Sequence, residues 1–529
     1  MILKRIYILF LLFFIHLLGQ AQNGNMVFND TVLHTIFVEI DLPDWFQTVE
    51  NDFQLNFDQP DVYPEVYRKC KVTFDGIVLN DCGFREKGNA SNSLTNFGKK
   101  KPFKIAFDEF LNQNLDGLDK INLNNFTNDP SLMHDVIAFK LFRDAGLVAS
   151  RTSYAKLYVN GEYIGLYVII ENVDKNFLRQ QYGGGVNNDG NLYKTDRGAA
   201  VFLNWLGPES TGYKDQGLKL NTNETADDWT KLIQFIDLIN NYYGADFKQR
   251  LESNFDVHAY LKILAIEKCI RSWDSYWGGG NNFYLYEHPD GMIRWIPWDM
   301  NETFQDIKII SGTSLLTSYL VPTNKFDDRP LLKRIFEIDE YKQEYLNYCC
   351  QLIQSNFKLE HLGQYVVDRH ELIDEAYKQD PYRYNSYTSF ETSLTEDNLD
   401  EVSITHNGYV LRINYPGIFP FIQSQREWVV KQMEGWEQSC VIEDNSIYDL
   451  FVYPNPANLE INISNTQSGF EFAQFILYDF TGKVCQQTEF EVMDGAYNTL
   501  YLDGIPSGIY LLIKRSADGK LGRAKVVVR

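Results

Sequence analysis

Positive charge is what this sequence has least to spare. Its 529 residues carry 49 lysines and arginines against 71 aspartates and glutamates, a formal net charge of −22. A surface this acidic argues against nucleic acid as a main partner, because phosphate backbones need a basic footprint. Metal-binding patterns are missing as well. There is no CxxC pair and no HxxxH or HExxH run, which argues against a structural zinc site. No GxGxxG run marks a nucleotide-covering glycine loop. After the N-terminal stretch, no segment is long and apolar enough to cross a bilayer. Aromatic residues are plentiful, but no regular spacing stands out among them, so they are read as core rather than as a sugar- or polymer-binding face.

The N-terminus, MILKRIYILFLLFFIHLLGQAQ, has the order of a secretory signal peptide. Lys4 and Arg5 precede a short apolar run, and Gly19-Gln20-Ala21 ends it with small residues. The expectation is a signal spanning 1–21, cut after Ala21, with no membrane span left afterwards. The cysteine count of seven is odd. Cys70 and Cys82 flank a hairpin turning at Asp75-Gly76, and an exported chain permits a disulfide there. Cys349 and Cys350 stand together in a helical pattern and are read as core.

Organisation follows hydrophobic period and turn chemistry. Strands are expected over 29–41, in a hairpin over 66–84, and over 103–107. Gly88, Asn89 and Ser91 form a small-residue loop ahead of Lys99, Lys100, Lys101 and the strand residue Lys104. A helix is expected over 132–145, then a tight hairpin over 154–171 about Asn160-Gly161, a short helix over 175–181 and a strand at 191–194. Helical periodicity then takes over, at 226–243, at 257–270 behind a capping Asp256, and at 329–336, 340–355, 359–378 and 419–434. From 449 to the end the pattern returns to short alternating strands, a small all-β sandwich. The fold class is therefore α+β, with a strand-rich part over 29–172, a helix-rich part over 173–438 and the sandwich over 449–529.

The chemistry concentrates in Trp273–Phe304, WDSYWGGGNNFYLYEHPDGMIRWIPWDMNETF. Asp274 follows a helix, Asn281 and Asn282 follow a glycine run, and a hairpin turning at Pro289-Asp290-Gly291 delivers Asp299. Two acids and an amide able to converge are what a phosphoryl-transfer site needs around a divalent cation. Lysines beside a loop rich in backbone N–H groups suit phosphate oxygens.

Residues 29–438 resemble the spore-coat protein H (CotH) kinase family, secreted or coat-associated atypical protein kinases. The resemblance rests on FREKGNASN followed by KKPFKIAFD, NDPSLMHDVIAFKLFRDAG, VNGEYIGLYVIIENVDKNFL, NLYK, and DSYW…NNFYLY…WIPWDMNETF, in that order. It implies a divergent two-lobed protein-kinase-like fold that uses ATP and Mg²⁺ or Mn²⁺. In that reading Asp274 orients or deprotonates the attacking hydroxyl, Asp299 holds the metal, and one of Asn281 and Asn282 offers it an amide oxygen. Lys104 by preference, or Lys101 or Lys194, neutralises phosphate. Arg85 and the loop carrying Gly88, Asn89 and Ser91 cover the nucleotide, and Glu171 ends the strand joining the lobes, where its backbone can receive the adenine.

Residues 449–529 resemble the type IX secretion C-terminal sorting domain of Bacteroidetes, through Tyr453-Pro454-Asn455-Pro456, DFTGK at 479–483 and Gly508-Ile509-Tyr510-Leu511-Leu512. This implies passage to the cell surface or medium by the type IX machinery. The sequence departs from the kinase pattern at Asn301, where the family usually carries a second acid, with Glu302 beside it. Three functions stay open: a kinase acting on protein hydroxyls, a catalytically inactive surface adhesin or binding module, and a metal-dependent hydrolase.

Overall fold

The computed structural model describes residues 23–88, 98–196, 199–309, 320–321, 328–406, 409–434, 436, 440, 447–464, 471–479, 481–492, 497–516 and 521–529. The expected signal peptide at 1–21, with Asn89 and Ser91, lies outside them.

The strand-rich part closes on itself. Strands β1 (Leu33–Glu39), β2 (Arg68–Phe74), β3 (Ile77–Glu86), β4 (Phe103–Ala106), β5 (Lys120–Asn124), β6 (Thr152–Val159) and β7 (Glu162–Glu171) form a barrel in the order β1-β2-β3-β4-β5-β7-β6. Helix α1 (Trp45–Asp58) follows β1, and α2 (His134–Asp144) lies between β5 and β6. Turn chemistry explains the closure. Asp75-Gly76 and Asn160-Gly161 all have positive φ, the pairing a two-residue hairpin requires. Each turn also grips an end of β1. Asp75 accepts from the Thr35 N–H at 2.8 Å and pairs with His34 Nδ1 at 2.6 Å. Asn160 accepts from the Ile40 N–H and donates to its carbonyl. So β1 can sit antiparallel to β2 and parallel to β6 at once. Inward residues such as Ile36, Val38, Phe74, Phe84, Ile105 and Leu157 fill the barrel. On the outside, the register sets Arg85 against Lys104 and Lys104 against Asn122, a polar row across three strands.

The middle of the chain is mostly helical. Helix α3 (Lys175–Tyr182), strand β8 (Asn191–Thr195), helix α4 (Ser210–Gln216) and strand β9 (Leu218–Leu220) lead into helices α5 (Thr230–Asn241), α6 (Phe247–Asn254) and α7 (Val257–Cys269). The expected start of α5 at 226 is too early. Asp228 accepts from the Thr230 N–H and Asp227 from the Trp229 indole, which holds these residues in a turn ahead of the helix. Asp256 caps α7 through the Ala259 N–H, as its position predicts. Strands β10 (Phe283–Glu287) and β11 (Ile293–Pro297) join β8 and β9 in a sheet ordered β11-β10-β8-β9.

A second small sheet was not expected. Strand β12 (Asp306–Ile309) pairs with β14 (Tyr409–Tyr415), which pairs with β13 (Asn398–His406). Between them lie helices α8 (Pro330–Phe336), α9 (Asp339–Gln354), α10 (Leu359–Lys378) and α11 (Tyr387–Thr392), and α12 (Ile418–Gln432) follows. β12 finds its partner about a hundred residues later in the chain, a pairing that local periodicity does not carry.

The C-terminal part is a sandwich of two sheets. Strands β15 (Ile447–Asp449), β22 (Leu521–Val528), β21 (Gly508–Ser516), β18 (Glu471–Tyr478) and β19 (Val484–Val492) form one sheet, and β16 (Val452–Tyr453), β17 (Glu460–Ser464) and β20 (Tyr497–Tyr501) the other. Its core is separate, built on residues such as Ile461, Phe475, Leu512 and Val526. It meets the helices through aromatic rings. Phe419 lies 5.1 Å from Phe451 and 5.2 Å from Tyr453.

Cysteine pairing differs from expectation. Cys350 is bonded to Cys440, which ties α9 to the segment leading to the sandwich. Its neighbour Cys349 is a buried thiol. Cys70 and Cys82 face each other across β2 and β3, as thiols.

One buried ion pair joins the barrel to the helices. Lys100 Nζ lies 2.5 Å from Asp380 Oδ2, with the two side chains 2% and 0% exposed. The rings of Phe126, Tyr167 and Tyr377 surround the ammonium at 5.6–5.8 Å. Asp380 also accepts from the N–H groups of Leu166 and Tyr382. Gly165 allows this approach, since a Cβ there would lie 2.6 Å from the carboxylate. Asp380→Ala leaves the lysine buried without its counter-ion, so unfolding free energy should drop by about 3–5 kcal/mol in a denaturant titration. A loss below about 1 kcal/mol would show that the joint does not depend on this pair.

Candidate active site

The floor of the site grows from the end of α7. Ile270 closes that helix and Arg271 takes a left-handed conformation that turns the chain toward Asp274. The N–H groups of Gly278, Gly279 and Gly280 all donate to the Ser275 carbonyl, which curls the glycine run around one point. Arg329, from just before α8, donates to the Gly278 carbonyl and holds the curl from below. Asn282 then folds back, and its Nδ2 donates to both the Asp274 carbonyl and Oδ2, each at 2.9 Å. Asn282 therefore orients Asp274. Asn281 stands on the other side, with its Oδ1 and Asp274 Oδ1 both buried and without a hydrogen-bond partner among the described residues.

Those two orphaned oxygens converge over Gly279. A Cβ on that glycine would lie 2.6 Å from Asn281 Oδ1 and 2.9 Å from Asp274 Oδ1. Asp299 closes the floor at the end of β11. It takes a positive φ, which aspartate tolerates better than most residues, as does Asn282. The Trp298 N–H donates to the Asn282 carbonyl and locks the two turns together.

Further acids crowd the same place. Asp135, in the first turn of α2, is buried and accepts from the Met300 N–H at 3.0 Å. Burial first, then the charge of Asp299, pushes its pKa up to about 7. Asp274 is likewise pushed up to about 7, by burial and then by Asp299, against the stabilising amides of Asn281 and Asn282. Glu302 is buried too, and accepts from Asn128 and Asn301 on one oxygen and Gln305 on the other. Burial drives it to about 8, opposed by the amides of Asn128 and Gln305 and reinforced by Asp274 and Asp299.

The roof is cationic. Lys104 and Arg85 project from neighbouring strands, and Lys87 follows Arg85 at the same strand period. Burial, helped by Arg85 and Lys194, holds the Lys104 ammonium well below its usual range. Burial also brings Lys87 down to about 8, and Asp299 is the strongest influence opposing it. Lys194 rises from β8 to meet them, its ammonium 5.5 Å from the Tyr284 ring and 5.6 Å from that of Trp298. Burial lowers it as well, again against Asp299. Lys87 and Lys194 thus face Asp299, and Lys104 lies beside both of them.

Not every expected residue lies in this gap. Lys101 turns toward α1, with its ammonium 3.8 Å from Glu50. Arg85 is held by Glu65 at 2.6 Å and lies over the Tyr67 ring. Gly88 has a positive φ at the start of its loop. Glu171 is 1% exposed and paired with Arg151, its N–H donates to the Arg151 carbonyl, and its own carbonyl accepts from Ser150 Oγ. With both backbone groups engaged, Glu171 serves as a brace between β7 and the turn before β6. Lys87 and Asp135 had not been singled out as a pair. The signal for Lys87 was its position two residues after Arg85 on a strand; nothing local marks Asp135.

The donors suit a hard divalent cation. Asp299, Asp274 and Asn281 offer oxygen alone, two of the oxygens orphaned. Among the described residues no trio of His, Cys, Asp and Glu forms a closed metal cage.

Comparison with known proteins bears on the same residues. A family model described as CotH kinase protein matches 84–409, and one described as secretion system C-terminal sorting domain matches 451–529. The chain is 28% identical to the inner spore coat protein H of Bacillus subtilis (strain 168) over 297 residues, 55% of this chain and 78% of that protein. It is 20% identical over 361 residues to spore coat protein homolog 1 of Rhizopus delemar, 67% of this chain and 56% of that protein. It is 26% identical over 192 residues to invasin CotH2 of the same fungus, 34% of this chain and 31% of that protein. The chain thus spans little more than half, or less, of these fungal relatives. Among solved structures, an immunoglobulin-like β-sandwich protein of Bacteroides vulgatus overlays 14% of the chain and 82% of its own, at 15% identity and TM-score 0.13.

Gly279→Ala tests the convergence directly. The added methyl would lie within 3 Å of both orphaned oxygens and push them apart at a position with no positive φ, so the fold should survive with a modest drop in melting temperature. Metal-dependent nucleotide binding, measured by calorimetry, should weaken at least tenfold; unchanged binding would place the ligand elsewhere.

Proposed function

The chain belongs to the CotH kinase protein family through residues 84–409, and from that premise we propose that it is an exported atypical protein kinase. It transfers the γ-phosphoryl group of ATP to a hydroxyl side chain of a protein, with Mg²⁺ or Mn²⁺, in a cleft between two kinase-like lobes. The observation that carries this reading is the approach of Lys87 and Lys194 to Asp299, with Lys104 beside both lysines and Asp274 beside Asp299. Export itself follows from the C-terminal sorting domain, which directs the chain to the secretion machinery and so to the cell surface or medium. No helix among the described residues is long and apolar enough to cross a membrane.

The division of labour is electrostatic and positional. Asp299, with Asn281 and Asp274 Oδ1, would hold the metal, which when bound neutralises phosphate oxygens. Lys87, Lys104 and Lys194 bind and orient the phosphates from above. Asp274 orients the incoming hydroxyl and accepts its proton. Asn282 keeps the carboxylate aimed. Asn301 stands where a second acid was expected. The nearby Glu302 brings a carboxyl group to the same region, although burial disfavours its charged form and its oxygens are already held by three amides.

A second reading, a surface-binding module without catalysis, draws on Asn301 and on the naming of fungal relatives as invasins. Incubation of the full chain with labelled ATP and Mg²⁺ or Mn²⁺ separates the two. Label should enter protein, and Asp274→Ala and Asp299→Ala should each lower incorporation by about a hundredfold or more. Lys87→Ala and Lys104→Ala should raise the KM for ATP, whereas Lys101→Ala should behave as the parent. Equal labelling by the aspartate variants would sink the assignment. Absence of both labelling and a nucleotide-induced thermal shift would favour the binding module, and phosphate release without protein labelling a hydrolase.

A further inference from the structure

The cysteines do not scatter. Six of the seven in the sequence lie outside the C-terminal sandwich, and the structure sets them in three juxtaposed pairs. Cys350–Cys440 is already a disulfide. Cys70 and Cys82 are direct partners in the antiparallel ladder of β2 and β3, both buried. Residues directly opposed in such a ladder have Cα atoms roughly 4.5 or 5.5 Å apart, according to whether the pair exchanges hydrogen bonds. Both spacings fall inside the range of about 4.4–6.8 Å that a disulfide spans. Cys269, the last residue of α7, and Cys349, in α9, are each 0% exposed on two helices packed against each other, and Cys349 with burial pushes the Cys269 thiol well above its usual range. Only Cys485, in β19 of the sandwich, is left over, and it is half-buried.

Adjacency does not scramble this arrangement. Successive residues of an α-helix point about 100° apart. On α9, Cys349 faces the core and α7, while Cys350 faces the segment holding Cys440. Exchanging their partners would require unwinding the helix. The compartment matters equally, since a chain carrying a secretion sorting domain passes through surroundings in which disulfides form and persist.

We propose that the exported protein carries three disulfides, with Cys70–Cys82 and Cys269–Cys349 closing beside Cys350–Cys440 and Cys485 remaining as the one thiol. Each closure joins two sulfurs and gives up two protons and two electrons. The electrons pass to an external disulfide oxidant, which is cleaved to two thiols. Closure belongs to the folding chain. In the finished fold these sulfurs are buried, and burial pushes the Cys82 thiol up to about 11, which starves exchange of thiolate. The bonds would staple both walls of the candidate site. Cys82 lies on β3, which continues to Arg85 and Lys87, and Cys269 ends the helix from which the Asp274 loop departs.

This inference does not depend on the kinase reading, and its test uses no nucleotide. The full chain, secreted through an oxidising compartment, is denatured in iodoacetamide and weighed intact, then mapped as non-reduced peptides. One alkylated cysteine is expected, against seven after reduction, with cross-links joining 70 to 82, 269 to 349 and 350 to 440. Cys70→Ser and Cys349→Ser should each raise the alkylated count from one to two, by freeing Cys82 and Cys269 respectively. Five alkylated cysteines in the parent chain, or cross-links between other pairs, would overturn the proposal.

Discussion

Everything near the candidate site answers to one constraint: four carboxyl groups share a space too dry to keep them all ionised. Asp299 bears on Asp135, Asp274 and Glu302, and those three are pushed to about 7 or 8, chiefly by burial. At an effective dielectric of about 20, like charges 4 Å apart repel by about 4 kcal/mol, comparable with a large part of a domain's stability. Such crowding persists only where something offsets it. Lys87, Lys104 and Lys194 do so partly, but they too are desolvated and held below their usual range. Both walls therefore hold charged groups at the cost of desolvation. On the proposed function, a metal–nucleotide pair would offset both sets of charges at once.

The rest of the fold serves to keep these two charged walls facing each other. The lysine-bearing face belongs to a closed barrel, whose rigidity comes from turn side chains that pin β1 at both ends. The acid-bearing face belongs to a helix end and a hairpin. Lys100 and Asp380 join the two regions through a pair that water barely reaches, and Arg369 and Tyr365 of α10 grip Asp30 ahead of β1. Aromatic stacking reaches on toward the C-terminal sandwich. Phe304, directly after the acidic loop, lies 5.2 Å from Phe421, and Phe419 on the same helix packs against Phe451 and Tyr453. The sandwich keeps its own core but joins the main one through Phe451 and Tyr453.

Much of this architecture could be read before any coordinates. Hairpins at Asp75-Gly76 and Asn160-Gly161, the Asp256 cap, and the helices over 257–269 and 359–378 are written in residues within one or two turns of each other. Local signals suffice because backbone preference, capping and hydrophobic period act over a few residues. The motifs around Asp274 and Asp299 are local too, and they carried both the family and the choice of floor residues.

Pairings over long sequence distances were another matter. Nothing near Lys101 shows that it turns to Glu50 while Lys104, three residues on, lies beside Lys87 and Lys194. Nothing near Asn282 shows that its amide is committed to Asp274, leaving Asn281 with the open oxygen. The barrel's closure, the sheet of β12 with β13 and β14, the Cys350–Cys440 bond and the arrival of Asp135 beside Asp299 all join residues far apart in the chain. By itself the sequence determined the elements, the export signal in its last strands and the chemistry of the residues on offer. Only the tertiary structure decided which of them meet, because burial and charge coupling depend on neighbours in space that no stretch of sequence contains.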